Sequence, residues 1–371
     1  MANGGMSTQD LVNIVLAGGT GKLNKKFRSM RSSLFNYFME DKNIDRENGD
    51  GRQYDVVVEG ENVRPYKAGS VWPTNKRKIL NQWHVPYMNI YAGVTFEGTD
   101  ISSKLGGYSI EDFTGGMAPR SMFPTLINEM ETHLGNVKES FMINQSDALY
   151  HKGVAADGSP NIDGFDVIFE PDSEYGGKGY RDLGEHDWDS LLMNTSVYRH
   201  NPLYKDFTGN SFPTIFGDLN AACTDISRGR ANIAESDDPS KIKIMAVVGP
   251  GAFARWDKLF TDQRLRSSDS ESNIGILKPI TWDRWGLEIH ADHFCPEERM
   301  YIWAAEHIKC IKQKGPRGDF DLRRVRLAFA QDELHCPWTV EYNLGCSARW
   351  QTCLFDNMAT DAATGASWGY E

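Results

Sequence analysis

The sequence predicts an α+β protein, and three observations carry the prediction. Residues 52–98 read as paired strands, Ser121–Tyr150 carries a single apolar helical stripe, and Lys241–Phe260 reads as strand, turn and helix in succession.

In the helix, Phe123, Leu126, Met130, Leu134, Val137 and Phe141 follow one another in steps of three and four, with Ile127 beside Leu126. Pro124 suits a first turn and Gly153 a stop. The helix spans roughly 40 Å at about 1.5 Å per residue. Asn128, Glu129, Thr132, Asn136, Glu139 and Ser140 make its other face polar, so it reads as a spine lying along a sheet, with an ordinary surface helix as the alternative.

Before the spine, residues 1–50 form an arm. Its basic part sets Lys22, Lys25, Lys26, Arg28 and Arg31 beside Phe27, Met30, Leu34, Phe35 and Phe38, apolar residues that need either the body or a neighbour to cover them. Residues 52–98 then read as one long hairpin. Asp55–Glu59 is the outgoing strand and Lys78–Phe96 the return, with a Gly-, Pro- and charge-rich tip between them that contains Trp72. Trp83, Val85, Tyr87 and Tyr91 are assigned to one face of the return, and Met88, Ile90, Val94 and Phe96 to the other. A hairpin that is apolar on both faces is weak alone and has adhesive edges, so it is expected to be covered by its own domain or by another subunit.

After the spine, Ile162–Phe169 reads as a short strand and Tyr175–Asp182 as a Gly-rich loop ahead of Trp188. Thr214–Arg228 reads as a helix burying Ile215, Leu219, Ala222, Cys223 and Ile226. Lys241–Val248 is a buried strand, and Gly249-Pro-Gly251 turns it into a helix holding Phe253, Trp256, Leu259 and Phe260. Leu287–Ile289 is strand-like. Local rules allow either a helix or a turn and strand after Pro296. Val325–Ala330 and Trp338–Tyr342 are further strand candidates.

The 371 residues suffice for two or three folded parts, and the formal net charge of −11 argues against a protein that grips nucleic acid directly. It suits a chain that stays soluble when concentrated, or that lies beside packed DNA without adhering. No apolar run is long enough to span a membrane, and Met1–Asp10 has no signal-peptide core. Cys223, Cys295, Cys310, Cys336, Cys346 and Cys353 are scattered without a close pair, the usage of free thiols in a reducing compartment.

Catalytic motifs are weak. Leu16–Leu23 lacks the first glycine and the hydroxyl residue of a phosphate loop. His290, Asp292, His293 and Cys295 are metal-ligand types, but alternation on a strand puts His293 on the other face from His290 and Asp292; the plainer reading is a strand end and turn. Tyr175–Tyr180 and Gly249–Gly251 could cradle an anion or simply turn the chain. Asp187 and Asp189 flank Trp188 and read as a solvated face. No catalytic constellation and no cofactor emerge.

The order of parts carries a resemblance. A basic arm, a long hairpin, a spine helix and an α+β domain together resemble tailed-bacteriophage major capsid proteins of the Hong Kong 97-like fold. Ile162–Phe169, Tyr175–Asp182 with Trp188, Met245–Pro250 with the helix to Phe260, and Asp292–Pro296 followed by Tyr301 and Trp303 are similar to the family's loose phrases, over most of residues 50–350.

The resemblance implies an N-terminal arm at 1–51, an extended loop and its connection at 52–113, a peripheral domain with the spine helix at 114–190, an axial domain at 191–318, and return strands to the peripheral domain at 319–371. It favours the strand after Pro296. It implies a structural protein and not an enzyme, self-assembling into hexamers and pentamers of an icosahedral head around double-stranded DNA, which it touches only weakly. Scaffold, portal and decoration proteins are its further expected partners, the virion capsid its place, and the host bacterial cytoplasm the site of assembly. Some members cross-link a Lys to an Asn; Lys67, Lys76 and Lys78 lie near the hairpin tip without one standing out. Phe38, Trp72, Trp83, Tyr87 and Tyr91 are the expected inter-subunit anchors, because aromatic residues dominate such contacts. The alternatives are an encapsulin-like shell around cargo and a metal-dependent enzyme using His290, Asp292 and His293.

Overall fold

The structure is a computed structural model that describes residues 32–57, 80–97, 136–137, 139–151, 153, 161–171, 175, 202–207, 211–231, 243–263, 279–314, 321–322, 326–328 and 333–359. Two sheets organise them.

The first sheet is built on β13 (Glu333–Cys346), about 45 Å long at about 3.3 Å per residue. β4 (Met88–Glu97) pairs antiparallel along one edge, from Glu333↔Glu97 to Tyr342↔Met88. On the other edge lie β12 (Arg326–Ala328), β11 (Asp321–Leu322) and β10 (Ile308–Gln313). β1 (Ile44–Glu47) closes the sheet, parallel to β10.

The second sheet has the order β5-β14-β9-β6-β8-β7. Its strands are β5 (Leu203–Asp206), β6 (Ile244–Val248), β7 (Ile280–Trp282), β8 (Leu287–Ala291), β9 (Met300–Ala304) and β14 (Thr352–Asp356). Every residue of β6 and β9 is buried, as central strands covered on both faces require.

Strand alternation sends the two faces to different cores. Ile244, Ala246, Val248, Met300 and Ile302 meet a π turn (Ile215–Leu219) and the helices α4 (Asn220–Ala231) and α5 (Pro250–Asp262), with Trp256 and Phe260 at the centre. Met245, Val247, Tyr301 and Trp303 face the larger core, which also holds the first sheet, α1 (Ser33–Phe38), α2 (139–148) and α3 (Phe165–Phe169). Phe165 lies 5.2 Å from both Tyr301 and Trp303 and joins these elements.

Three expectations are corrected. Ile162–Phe169 is not a strand: α3 starts after Gly164. A short run buried on all sides carries no period, so local pattern cannot separate helix from strand. The deciding contacts are long-range. A side chain at Gly164 would run into the carbonyls of Ala148 and His151. The fully buried Arg349 donates Nε to Ile168 O at 2.6 Å and Nη2 to Val167 O at 3.0 Å and to Glu170 O, satisfying the carbonyls at the end of α3.

The return of the 52–98 hairpin is not one strand. β2 (Gly51–Val57) pairs with β3 (Leu80–Pro86), then the chain breaks at Tyr87 and β4 leaves to pair with β13. The assignment of Trp83, Val85, Tyr87 and Tyr91 to one face fails at this break: the first three are buried and Tyr91 is exposed. After Pro296 the chain makes a turn and then β9, as the resemblance implied. Most of the spine, residues 121–135, lies outside the described residues; 139–148 is helical, with Phe141 and Ala148 buried.

Candidate functional site

β2 and β3 form a two-stranded sheet of their own that joins neither larger sheet. Their root is fixed to the body. Tyr54 and Trp83 stack at 5.5 Å across the pair, both buried, and Asn343 donates to Pro86 O at 2.8 Å. Arg52 lies over the Tyr54 ring, with its charge on Asp45 and Glu47 of β1. Asn343 is fully buried and fully used: its amide also donates to the Asp163 carboxylate at 2.8 Å, and its carbonyl accepts from Asp163 N and Leu344 N. Burial raises the Asp163 carboxyl and the Tyr54 phenol above their ordinary values, so a neutral phenol sits at the root. The tip, residues 58–79, lies outside the described residues.

Among the five expected anchors, Phe38, Trp83 and Tyr87 find cover within their own chain. Each is buried within the chain: Phe38 against Phe165 and Trp303, Trp83 against Tyr54, and Tyr87 at the strand break with its hydroxyl donating to Glu47 O at 3.2 Å. Segments that look unsupported in sequence are rooted through contacts 40 to more than 250 residues away, such as Ser32 Oγ donating to Asp292. Trp72 lies outside the described residues. Tyr91 is 56% exposed on β4, its ring lying over Gly93.

The metal-ligand types do not converge. Asp292 is buried and accepts from Ser32 Oγ on one oxygen and from Phe294 N at 3.0 Å on the other. His290 faces Glu288 at 3.5 Å, and His293 is exposed. Burial pushes the Cys295 thiol well above its ordinary value, the opposite of what a thiolate ligand needs. No group of three such ligands occurs among the described residues.

The Gly249–Gly251 turn is occupied by the chain itself. Glu297 accepts from Gly251 N at 2.8 Å and Ala252 N at 3.1 Å, placing a carboxylate at the positive end of α5. Tyr175 is buried, its hydroxyl donating to Leu344 O at 3.0 Å and accepting from Cys346 N at 2.6 Å. The rest of its Gly-rich loop, Asp187, Trp188, Asp189 and Leu16–Leu23 lie outside the described residues. Cys223, Cys295, Cys310, Cys346 and Cys353 are free and buried, and burial lifts the Cys223, Cys310 and Cys346 thiols to about 12. No described helix is long and apolar enough to cross a membrane.

Two features had no signal in the sequence. Arg299 gathers Asp166 at 2.7 Å, Asp356 at 3.1 Å and Glu170 at 3.5 Å, and Tyr301 donates to the same Asp166 oxygen at 2.8 Å, tying α3 to β9 and β14. Four acids and bases spread over 190 residues have no spacing to read. The second feature is a groove of about 520 Å³ beside the π turn, lined by Phe212, Phe216, Arg255, Leu259 and Gln263 among others. Thr214 and Asp218 cap each other there, the Thr214 N–H meeting the Asp218 carboxylate at 2.9 Å and the Asp218 N–H the Thr214 hydroxyl at 3.3 Å. The turn leaves Phe216 56% exposed.

The capsid asymmetric unit of cyanophage A-1(L) matches with a TM-score of 0.57 and 11% identity, covering 89% of this chain and 94% of that one. This chain has the Hong Kong 97-like fold. The capsid of a native GTA particle is similar at a TM-score of 0.46 and 9% identity, over 85% of this chain and 88% of that one. A virus-like particle from Pyrococcus furiosus gives 0.43 and 12%, over 94% and 99%. No family model and no curated protein matches the sequence. At 11% identity, the likeness to the cyanophage capsid subunit establishes the fold.

Proposed function

We propose that this chain is a major capsid protein that assembles into hexamers and pentamers of an icosahedral phage head enclosing double-stranded DNA. The observation that carries the proposal is the Hong Kong 97-like fold matched over 89% of the chain to a cyanophage capsid subunit. The isolated β2–β3 sheet supports it, since a rooted hairpin outside both main sheets is positioned to reach over a neighbour. The acidic balance agrees with a wall that faces DNA without gripping it.

In this reading the arm is 1–51, the extended loop and connection 52–113, the peripheral domain 114–190, the axial domain 191–318, and the return strands 319–371. Trp72 and Tyr91 are the proposed inter-subunit anchors. Assembly in a bacterial host cytoplasm, with scaffold, portal and decoration partners, belongs to the same proposal.

Negative-stain microscopy and light scattering of the purified full chain test it. Shells, hexamers or pentamers are expected, and a monomer that persists at high concentration would overturn the reading.

A further inference from the structure

We propose that Asn48 is a self-modification site, at which the Gly49 backbone nitrogen displaces the side-chain amide and water opens the resulting imide to aspartate or isoaspartate. The pair lies in the turn between β1 and β2. Both residues are exposed, and among the described residues no hydrogen bond engages the Asn48 amide or the Gly49 N–H. The turn is pinned around them instead. Glu47 O accepts from Lys314 N at 2.7 Å and from the Tyr87 hydroxyl at 3.2 Å, and Asp50 O accepts from Tyr87 N at 2.9 Å.

The fold keeps the reactive nitrogen in place. Gly49 has φ +114°, a conformation that side chains other than glycine rarely adopt, so the turn calls for glycine here. The missing side chain also leaves the nitrogen open to approach: the nearest atom to a Cβ placed at Gly49 is Gly51 O, 4.0 Å away. Every other described asparagine precedes a residue with a side chain, which crowds the same ring closure.

Two described Asp-Gly pairs could form the same imide by losing water, and the structure closes both. Gly51 is paired in β2 opposite Pro86, hard against Val85 O and the His84 ring, and the Asp50 carboxylate faces His84 at 3.3 Å. Asn343 holds Asp163 by both its N–H and its carboxylate, and Gly164 is wedged against the carbonyls of Ala148 and His151.

The step balances with water alone. The Gly49 N to Asn48 Cγ bond forms, the Cγ–Nδ2 bond breaks, and the Gly49 proton passes through water to the leaving nitrogen, which departs as ammonia. Hydrolysis at one imide carbonyl gives aspartate; at the other it gives isoaspartate, with one more carbon in the main chain. Either product adds a negative charge to a turn that already carries Glu47 and Asp50. The proposal does not depend on the chain being a capsid protein.

Peptide mapping of the purified full chain, stored folded at mildly alkaline pH, tests it. Conversion of amide to acid at Asn48 is expected to be at least about tenfold faster than at any other described asparagine, a barrier difference of about 1.4 kcal/mol, with isoaspartate among the products. In guanidinium chloride the rate at Asn48 should change by less than about threefold, because the folded turn already permits the reaction. Isoaspartate at Asp163 should appear only in the denatured chain. Gly49→Ala should slow the reaction by about tenfold in guanidinium chloride, where folding plays no part. An Asn48 amide that survives in the folded chain and is lost only on denaturation overturns the proposal, as does loss no faster than at the other described asparagines.

Discussion

Arg349 and Glu288 are charged residues whose surroundings set how much stability each contributes. Arg349 is fully buried and its guanidinium meets the carbonyls of Val167, Ile168 and Glu170; burial lowers its pKa to about 10, which leaves it charged at neutral pH. Arg349→Leu removes the donors and strands those acceptors, so an expected loss of about 3–5 kcal/mol should appear in the urea midpoint. A loss under about 1 kcal/mol would mean that water replaces the side chain.

Glu288 is depressed to about 2, first by the His290 imidazole 3.5 Å away and then by Lys243 at 2.9 Å, against a burial effect in the other direction. A folded-state value below the unfolded 4.5 means that its stabilisation is complete above pH 4.5 and disappears as pH falls toward 2. Partial exposure limits it to about 1–2 kcal/mol. Burial raises Asp163 and Asp166, so protonating them favours the folded chain and opposes this trend. The clean measurement is therefore the difference between the natural chain and Glu288→Gln. That difference should shrink between pH 4.5 and 2, and a constant difference would remove Glu288 from the account.

Elements are held by a few close approaches. Gly345 on β13 has no room for a side chain, because a Cβ there would meet the Tyr54 hydroxyl and come within 2.7 Å of Ile311 Cγ2. Gly345→Ala is expected to cost about 1–3 kcal/mol through overpacking. Adding Tyr54→Phe should recover part of that loss, since the hydroxyl is the nearest atom; strictly additive effects in a double-mutant cycle would show that the two do not touch. The sequence revealed β6 and α5 well, because a buried run and a Gly-Pro helix start are local signals; local rules left β9 open between helix and strand, and the resemblance favoured the strand. It misread Ile162–Phe169 and missed the break at Tyr87, because carbonyls of α2, the Arg349 guanidinium and the β13 edge decide those conformations from afar.

At the scale of the whole molecule, the hairpin tip and Tyr91 separate folding from assembly. Replacing residues 58–79 by a short Gly-Asn turn should leave the body folded, with β4 still on β13, yet yield no shells by microscopy. Tyr91→Lys should change unfolding stability by no more than about 0.5 kcal/mol, since the residue is exposed, while weakening assembly. Intact shells from both variants would point to other contacts.

Composition and pattern by themselves determined the α+β class and the buried central strand β6. These depend on local period and on residues adjacent in the chain. Only the tertiary structure decided which aromatic residues are spare. Phe38, Trp83 and Tyr87 look unsupported in a linear reading, and the body covers all three, whereas Phe216 is exposed on the π turn. Burial is a property of surfaces brought together from distant parts of the chain, and no local period records which surfaces those will be.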